Sequence, residues 1–401
     1  MTVDWLSVAP EPRAAAEVIR LVRRSVIPVG PLLGSLRTRE RQQVRWVQAP
    51  NGTGTWLVTD YEAARSALAD PRLSRAAAVG PGAPRLSPGQ PAPDSIISLD
   101  GAEHARLRRL VTGAFTERRV ADLSPFIDNL VAELLEEMAA KAAPADVVGS
   151  LAAPLPLRVL CSVLGIPWQD HDQFGSGISV LFEMQGDADE NKARALRLAR
   201  YMATLVARKR REGEDDLICA LIAGQDGEDR LSNRELVTLA LSILMAGYET
   251  TVDQLSLCIL SLLINAELTA VLRADASLIP TAVAEIMRVS PAVSISFPRV
   301  AGEQMTIGGQ TIEPGQPVVV SVIGANRSVR TDTAPITVSH LTFGHGIHRC
   351  IGAPLARIQL ASALRGLLTR FPLLALADDP AALEWKSGSS SRGLARLHVT
   401  W

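Results

Sequence analysis

Cysteine is scarce in this sequence. The 401 residues include four cysteines, Cys161, Cys219, Cys258 and Cys350, and no two of them form a C-x-x-C pair. This spacing argues against a disulfide framework and against a structural zinc site, because both need grouped cysteines. It fits a reducing compartment, and we expect a cytoplasmic protein.

The sequence also lacks an excess of charge and a targeting segment. Its formal net charge of −1 at pH 7 is too small to draw the whole protein to nucleic acid or to an anionic membrane. The N-terminus carries Asp4, Glu11, Arg13 and Glu17 among its apolar residues, so it offers neither a signal-peptide core nor a membrane anchor. We therefore expect a soluble protein that acts on a small-molecule substrate, with no nucleic-acid or membrane partner.

Helical periodicity dominates the chain, and strand-like stretches are few. They are confined to Val44–Val47, Trp56–Thr59 and a run from Arg299 to Ile323. A stretch rich in Ala, Pro and Gly, Ala76–Pro93, predicts a long irregular loop. We predict a mainly α (α+β) chain, whose length of 401 residues suits either one large domain or two ordinary ones.

A long apolar helix is predicted from Ser232 to about Ile264. Ser232 and Glu235 form a capping box at its start. Apolar residues occur on all its faces, as expected for a helix inside a protein. Its centre is interrupted by Glu249, Thr250, Thr251 and Asp253. These polar residues exclude a membrane span, and they mark a candidate site because buried charge is costly unless it is paired or functional.

The most specific pattern surrounds the last cysteine, in Phe343-Gly-His-Gly-Ile-His-Arg-Cys350-Ile-Gly-Ala-Pro354. Its glycines suit a loop whose backbone presses against a flat cofactor. Pro354 suits the first turn of a following helix. A cysteine ahead of a helix N-terminus and beside Arg349 is favoured as a thiolate, which haem iron takes as a strong axial ligand. We interpret the other three cysteines as inert and buried.

These residues resemble the haem-binding loop of the cytochrome P450 family, with Cys350 as the proximal ligand of the iron. The remaining motifs follow in the order of that family: Glu103-His104-Ala-Arg-Leu-Arg108-Arg109, Ala246-Gly-Tyr-Glu-Thr250, Glu285-Ile-Met-Arg288 and a C-terminal Trp385–Gly393 similar to soluble bacterial, actinomycete-like members. The resemblance implies a single domain over residues 1–401, which is helical with a small β-rich region. It places haem b (iron protoporphyrin IX) between the long central helix and the cysteine loop.

The resemblance also implies which side chains hold the haem. Besides Cys350, the implied haem contacts are His104, Arg108, Arg299, His348, Phe343 and Gly344. Charge-assisted bonds from Arg and His suit the buried carboxylates of the haem propionates.

Glu285 and Arg288 become, by the same resemblance, a buried structural pair behind the haem. E-x-x-R alone is too common to be informative. The stretch between Arg327 and Leu341 is shorter than is usual in the family, so the group that completes this pair stays open. Arg327 or Arg330 could supply it.

Glu249 and Thr250 are the candidates for proton delivery, with the acid feeding the alcohol. The Thr250 hydroxyl could bond to a backbone carbonyl of its own helix. Substrate contacts implied by position in the family are Ala246, Val293, Ser294 and Ser296. The serines suggest a substrate with hydrogen-bonding groups, although such hydroxyls also bond to their own backbone.

The sequence thus predicts a haem-thiolate monooxygenase that activates O2 to hydroxylate or epoxidise a small natural-product-like substrate. No flavin or nicotinamide domain is recognised, so we expect electrons from a ferredoxin and a ferredoxin reductase. Two alternatives stay open. The same haem chemistry could end in oxidative coupling or desaturation, or the protein could be a non-catalytic haem sensor, although a sensor needs no Glu249–Thr250 pair. A hydrolase ranks last because G-x-S-x-G is missing.

Overall fold

The computed structural model describes residues 11–24, 27, 43–49, 51–84, 91–173, 175–183, 187–213, 216–223, 231–329 and 339–401. Helices dominate this part of the chain, and the predicted fold class is confirmed. The α-helices are α1 (Pro12–Arg24), α2 (Tyr61–Ala69), α3 (Gly101–Thr112), α4 (Glu117–Asp122), α5 (Ser124–Ala139), α6 (Pro154–Leu164), α7 (Gly175–Ile178), α8 (Ala188–Glu212), α9 (Leu217–Ala223), α10 (Asn233–Leu263), α11 (Ala266–Ala274), α12 (Ile279–Val289), α13 (Val322–Ser328) and α14 (Ala353–Arg370). Short 3-10 helices cover Gly113–Phe115, Trp168–Gln173, Ser179–Phe182, Ala276–Leu278, Gly346–His348 and Pro380–Ala382, and a π-helical turn covers Val148–Ala152.

The strands form small sheets at the edge of the helical body. They are β1 (Val44–Gln48), β2 (Gly54–Val58), β3 (Leu73–Ser74), β4 (Ala145–Asp146), β5 (Arg299–Ala301), β6 (Met305–Ile307), β7 (Gln310–Ile312), β8 (Pro317–Val320), β9 (Ala375–Leu376) and β10 (His398–Thr400). The largest sheet has the order β1-β2-β8-β5-β3, a second has the order β4-β10-β9, and β6 pairs with β7. In the largest sheet, Val318 is aligned with Arg299 on one side and with Trp56 on the other.

The predicted strand run from Arg299 ends earlier than Ile323. Ser321 leaves the sheet, and its hydroxyl accepts a hydrogen bond from the Gly324 N–H, which caps α13. Residues 322 and 323 therefore start a helix, because a capping serine satisfies a free N–H group of the first turn. The predicted loop Ala76–Pro93 consists of turns where it is described, and residues 85–90 lie outside the described residues.

The long helix α10 has the predicted bounds. The capping box is complete, since Ser232 accepts from the Glu235 N–H and Glu235 accepts from the Ser232 N–H, and Ile264 is the C-cap. From residue 251 to residue 262 every side chain is buried, and the helix packs against α6, α8, α12 and α14. Among the described helices, it alone is long and apolar enough to cross a membrane. Its second half, from residue 251 to residue 262, is buried on all sides as in a core helix.

Two apolar cores position the rest of the molecule. The larger one surrounds α10 and includes α5, α6, α12 and α14. The smaller one lies between the largest sheet and α2. The segment from Leu341 to Gly352 runs between them, because its 3-10 turn contacts α2 and its end leads into α14, where Pro354 stands in the first turn as predicted.

Candidate functional site

The cysteine loop, residues 343–352, is a tight turn that presents one sulfur. The Cys350 N–H donates to the Phe343 carbonyl at 2.7 Å and closes the loop. Gly344 and Gly346 have φ values of 71° and 73°, which side-chain-bearing residues rarely adopt. A Cβ on Gly346 would lie 2.7 Å from the Leu68 carbonyl oxygen. The glycine at 346 is therefore required by close packing against α2.

Cys350 differs from the other three cysteines, since it is exposed and they are buried. Burial raises the pKa of both Cys161 and Cys258 to about 12, so their thiols stay protonated. Partial removal from water also raises the pKa of the Cys350 thiol, but the Gly352 N–H and three guanidinium groups oppose this effect. The three groups belong to Arg108, Arg349 and Arg357. Cationic neighbours at the start of a helix are the surroundings that favour a thiolate.

Two of the predicted haem contacts, His104 and His348, lie next to each other. Their ring centroids are 4.4 Å apart. His104 is buried on α3, and burial, reinforced by the neighbouring His348 and Arg108, lowers its pKa to about 4. His348 Nε2 lies 3.0 Å from Asp100 Oδ1. The pair is thus anchored through one histidine to a carboxylate immediately before α3.

Asp100 is a member of the site that the sequence analysis did not identify. Its other oxygen accepts hydrogen bonds from Ser74 Oγ at 2.7 Å and from the Ala76 N–H at 2.9 Å. Although burial acts in the other direction, the bonds from His348, Ala76 and Ser74 hold the pKa of Asp100 well below its ordinary value. The sequence signal for such a turn was Asp-Gly at the start of a helix, where Gly101 has a φ of 59°.

The cations Arg75 and Arg299 are buried near the same histidine. Arg299 is 6 % exposed and Arg75 is 2 % exposed. Arg75 donates to the carbonyls of Ile97 and Pro298, but its Nη2 is buried with no hydrogen-bond partner among the described residues. Burial, reinforced by Arg299, lowers the pKa of Arg75 to about 10. Arg75 was also missed, because a single arginine after Leu-Ser carries no sequence signal.

This donor set fits a haem. One thiol is surrounded by cations, and a separate group of His and Arg side chains includes a buried guanidinium nitrogen with no hydrogen-bond partner in the described part of the chain. The first group suits a metal that takes a thiolate, and the second suits the carboxylates of propionates. In the described ranges no group of three or more His, Cys, Asp or Glu side chains could hold a metal ion.

At the polar centre of α10, Thr250 bonds within its own helix, whereas Glu249 bonds to residues outside it. Thr250 Oγ1 donates to the Ala246 carbonyl at 2.8 Å, as the sequence suggested. Glu249 is 6 % exposed and accepts a hydrogen bond from Ser179 at 2.7 Å and from Lys386 at 2.5 Å. Both oxygens of Glu249 are therefore engaged by other residues and neither by Thr250.

Glu285 and Arg288 form the predicted buried pair on α12. Arg288 Nε donates to Glu285 Oε2 at 2.7 Å and Nη2 donates to Oε1 at 2.6 Å. The third member is Arg23 of α1, whose Nε donates to Glu285 Oε1 at 2.7 Å. Arg327, one of the two arginines that the sequence left open, donates hydrogen bonds to the Val289 carbonyl. Arg330 lies outside the described residues.

Asn326 connects this pair to the cysteine loop. Its carbonyl accepts from Arg288 Nη1 at 2.6 Å, and its side chain donates to Thr342 and accepts from the Leu341 N–H. Asn326 is completely buried. An ion pair on α12 thereby fixes the entry to the loop that carries Cys350.

The hydroxyl groups of the two serines expected to contact the substrate form hydrogen bonds with the protein backbone. Ser294 Oγ donates to the Pro291 carbonyl, and Ser296 Oγ accepts from the Val320 N–H. Val293 pairs with Ser391 of the C-terminal segment in an isolated bridge. The hydroxyls of 294 and 296 thus serve the local fold, which was the alternative left open by the sequence.

The chain is similar to known proteins in both sequence and structure. A family model described as "Cytochrome P450" matches residues 189–330. The chain is 40% identical over 373 residues to "Mycinamicin IV hydroxylase/epoxidase" of Micromonospora griseorubida, covering 90% of this chain and 94% of that protein. It is also 40% identical over 373 residues to "Nocardicin C N-oxygenase" of Nocardia uniformis subsp. tsuyamanensis, with the same coverage of 90% and 94%.

A solved structure supports the same relationship. The "cytochrome P450mel 107F1 with biaryl coupling reactivity" superimposes with a TM-score of 0.85 at 34% identity, covering 94% of this chain and 97% of that chain. Two sequence relatives and one structural relative thus agree over almost the whole chain.

Proposed function

The chain belongs to the cytochrome P450 family, and from this membership we propose that it is a monooxygenase that hydroxylates or epoxidises a small natural-product-like molecule with O2. It is a haem enzyme and an oxidoreductase, as its relatives are. The observation that carries the monooxygenase proposal is that a buried acid, Glu249, stands next in sequence to the alcohol Thr250, whose hydroxyl bonds to the Ala246 carbonyl at the centre of α10. A haem sensor has no use for such a pair.

Cys350 would hold the iron, and the cations around it would stabilise the thiolate. Arg108 lies close enough to Cys350 to affect its titration. His104, Arg299 and His348 would bind the propionates. When bound, the haem supplies a thiolate-ligated iron that activates dioxygen. Phe343 and Gly344 would lie against the haem as part of the cysteine loop.

Arg75 is a further propionate ligand in this proposal. Its unpartnered Nη2 lies in the same buried group as Arg299 and His348. A carboxylate there would give the nitrogen the hydrogen bond that it lacks, because a buried donor without an acceptor costs about 1–3 kcal/mol.

Thr250 and Glu249 would handle the protons. The Thr250 hydroxyl, bonded to the Ala246 carbonyl, can hold a water molecule beside the helix and pass on a proton. Glu249 would supply that proton after leaving Ser179 or Lys386, since both its oxygens are otherwise engaged. Ala246 and Val293 remain the proposed substrate contacts.

The electrons come from redox partners, and we propose a ferredoxin with its reductase. Two exposed arginines lie in the cysteine loop or beside it: Arg349 in the loop itself and Arg65 on α2, whose charges both act on His345. An acidic ferredoxin would be attracted to this surface, and salt would weaken the attraction. We expect the protein in the cytoplasm.

Two measurements test the proposal. The reduced protein under carbon monoxide should show the red-shifted Soret band of thiolate-ligated haem, and Cys350→Ser should lose it. Thr250→Ala should keep the band while a larger share of electrons ends in peroxide and a smaller share in product. Full coupling in Thr250→Ala would contradict the role of this threonine, and a wild-type protein loaded with haem but without the band would contradict ligation by Cys350.

Oxidative coupling is the second candidate, because a structural relative at TM-score 0.85 is described by its biaryl coupling reactivity. Turnover under isotopically labelled dioxygen separates the two candidates. A monooxygenase transfers one labelled atom to the product, whereas coupling or desaturation leaves the product unlabelled and puts the label in water.

A further inference from the structure

The acid Glu249 shares its lysine with a second buried acid, Asp253, one helical turn further along α10. Lys386 Nζ lies 2.5 Å from Glu249 Oε1 and 2.6 Å from Asp253 Oδ1. Asp253 is completely buried, Glu249 is 6 % exposed, and the Lys386 side chain is 22 % exposed. Two carboxyl groups and one ammonium thus meet inside the protein, and the lysine has the most exposed side chain of the three.

The segment that carries Lys386 is held against α10 and against the 3-10 turn Ser179–Phe182. Ser390 donates to the Phe182 carbonyl from both its N–H, at 2.7 Å, and its hydroxyl, at 3.1 Å. A Cβ on Gly393 would lie 2.1 Å from Asp253 Oδ1. Glycine at 393 therefore lets the segment approach Asp253 closely enough for the lysine to bridge both acids.

The charges in this cluster do not balance. With both acids ionised, one ammonium would face two buried carboxylates, and burying a charge without a partner is costly. Two like charges at one site also push the pKa values of the two acids apart, so that one acid binds its proton more tightly than the other. Besides Lys386 and Glu249, the groups that face Asp253 are Tyr248 and Ser391. Neither adds a positive charge.

Asp253 is the acid that binds its proton more tightly. It is more deeply buried than Glu249, which in addition accepts a hydrogen bond from Ser179. Burial raises the pKa of Asp253 to about 6, with Lys386 lowering it and Glu249 raising it further.

We propose that Asp253 is a proton store for Glu249, connected to it through Lys386. This inference rests on the proposed function, in which Glu249 and Thr250 deliver protons. The ammonium of Lys386 gives a proton to the Glu249 carboxylate, and the resulting amine takes the proton of the Asp253 carboxyl. The sum is one proton moved from Asp253 to Glu249 with no change of total charge. Asp253 is reloaded from solvent by the same lysine.

Asp253 and Lys386 are positioning residues in this scheme, since they act through Glu249. Two variants test it on the haem-loaded protein. Asp253→Asn keeps the shape of the side chain without an exchangeable acid proton. Lys386→Arg keeps the positive charge, but a guanidinium does not release its proton at accessible pH. If Asp253→Asn does not fold, Lys386→Arg still tests the proposal.

The first readout is independent of turnover. Infrared difference spectra of the resting protein should show a protonated-carboxyl band that titrates near pH 6. The band should be lost in Asp253→Asn and kept in Thr250→Ala. A band that persists in Asp253→Asn would overturn the assignment.

The second readout is the share of electrons that ends in product as a function of pH. In the wild type this share should fall as pH rises through the titration of Asp253. In Asp253→Asn and Lys386→Arg it should stay at the low value at every pH. If Asp253→Asn and Lys386→Arg both keep the pH profile of the wild type while Thr250→Ala is uncoupled, the role of Asp253 as proton store is overturned. The proton-delivery role of Glu249 and Thr250 then stands. A fully coupled Thr250→Ala would overturn the proton-delivery role and the store with it.

Asp216→Asn is the matched control. Asp216 is a buried carboxylate paired with Lys209 at 2.5 Å. It immediately precedes α9 and is not part of the group formed by Glu249, Asp253 and Lys386. Its replacement should lower stability and leave both the infrared band and the pH profile as in the wild type. Loss of the same band in this control would contradict its assignment to Asp253.

Discussion

The carboxylates of Glu285 and Glu249 are both buried on neighbouring core helices, yet their surroundings differ. Glu285 on α12 accepts from two arginines, Arg23 and Arg288. Glu249 on α10 competes with Asp253 for one lysine. We refer to Arg23, Glu285, Arg288 and Asn326 as the Glu285 cluster, and to Ser179, Glu249, Asp253 and Lys386 as the Glu249 cluster.

The difference lies in which groups can exchange a proton. Guanidinium groups stay charged at any pH that a protein survives, whereas carboxyl and ammonium groups can trade protons. The Glu285 cluster has more positive than negative charge and fixed hydrogen-bond geometry. The Glu249 cluster has more negative than positive charge and a lysine near the surface. The first arrangement is suited to holding the cysteine loop in place, and the second to moving protons.

The largest effect is expected from Glu285→Gln. The change leaves the buried guanidinium of Arg288 without a counter-charge, which costs about 3–5 kcal/mol of unfolding free energy. Because an arginine cannot discharge, acid should not relieve this loss. Urea unfolding together with the carbon monoxide spectrum measures it. The control is Glu267→Gln, whose side chain is 62 % exposed and which should change stability by less than about 0.5 kcal/mol.

Asp253→Asn should make stability less dependent on pH. The folded pKa of about 6 lies above the ordinary 3.8, so the folded protein binds more protons than the unfolded chain in this window, and wild-type stability falls as pH rises through it. The difference between the folded and the ordinary pKa of Asp253 corresponds to a change in unfolding free energy of at most about 3 kcal/mol. Urea unfolding of both proteins across this window should show the variant gaining relative to the wild type as pH rises. A difference that is constant with pH would contradict a protonated Asp253.

Arg23→Met should have a smaller effect. Arg23 is half-buried and gives Glu285 its third hydrogen bond, and a bond to a charged group is worth about 1.5–3 kcal/mol before solvent screening reduces it. We expect a loss of about 1 kcal/mol. The neighbouring Arg24 is exposed, and Arg24→Met is the control for loss of a positive charge on α1. Equal effects of the two variants would show that Arg23 does not complete the Glu285 cluster.

The smallest effect is expected from Ser179→Ala. It removes one hydrogen bond to Glu249 and should cost about 0.5–1.5 kcal/mol. Because the freed oxygen of Glu249 can then turn toward Thr250, we expect coupling to product to be kept or slightly improved. Thermal unfolding and product yield per electron measure the two effects, and Ser179→Thr, which keeps a hydroxyl, is the control. A loss of coupling in Ser179→Ala alone would mean that Ser179 itself takes part in proton delivery.

Local features of this molecule could be predicted from its sequence. The capping box at Ser232, the end of α10 near Ile264 and the turn from Cys350 into α14 each depend on residues a few positions apart. Backbone hydrogen bonding and periodicity act over that range, and so they leave a pattern in the sequence.

The partners of the buried charges could not be predicted in this way. Arg23 and Glu285 are 262 positions apart, His348 and Asp100 are 248 apart, and Lys386 and Glu249 are 137 apart. Such pairs are set by how the helices pack, and neither residue type nor spacing identifies them.

The close approach of Gly393 to Asp253 matters to anyone who recombines this enzyme with its relatives. A chimera that takes its C-terminal tail from a parent with a side chain at 393 would place that side chain on the Asp253 carboxylate. A crossover between α10 and the tail is therefore tolerated only when positions 253 and 393 come from the same parent, or when the residue at 253 is shortened. Positions 253 and 393 are thus sterically coupled and must be exchanged together, although 139 residues lie between them.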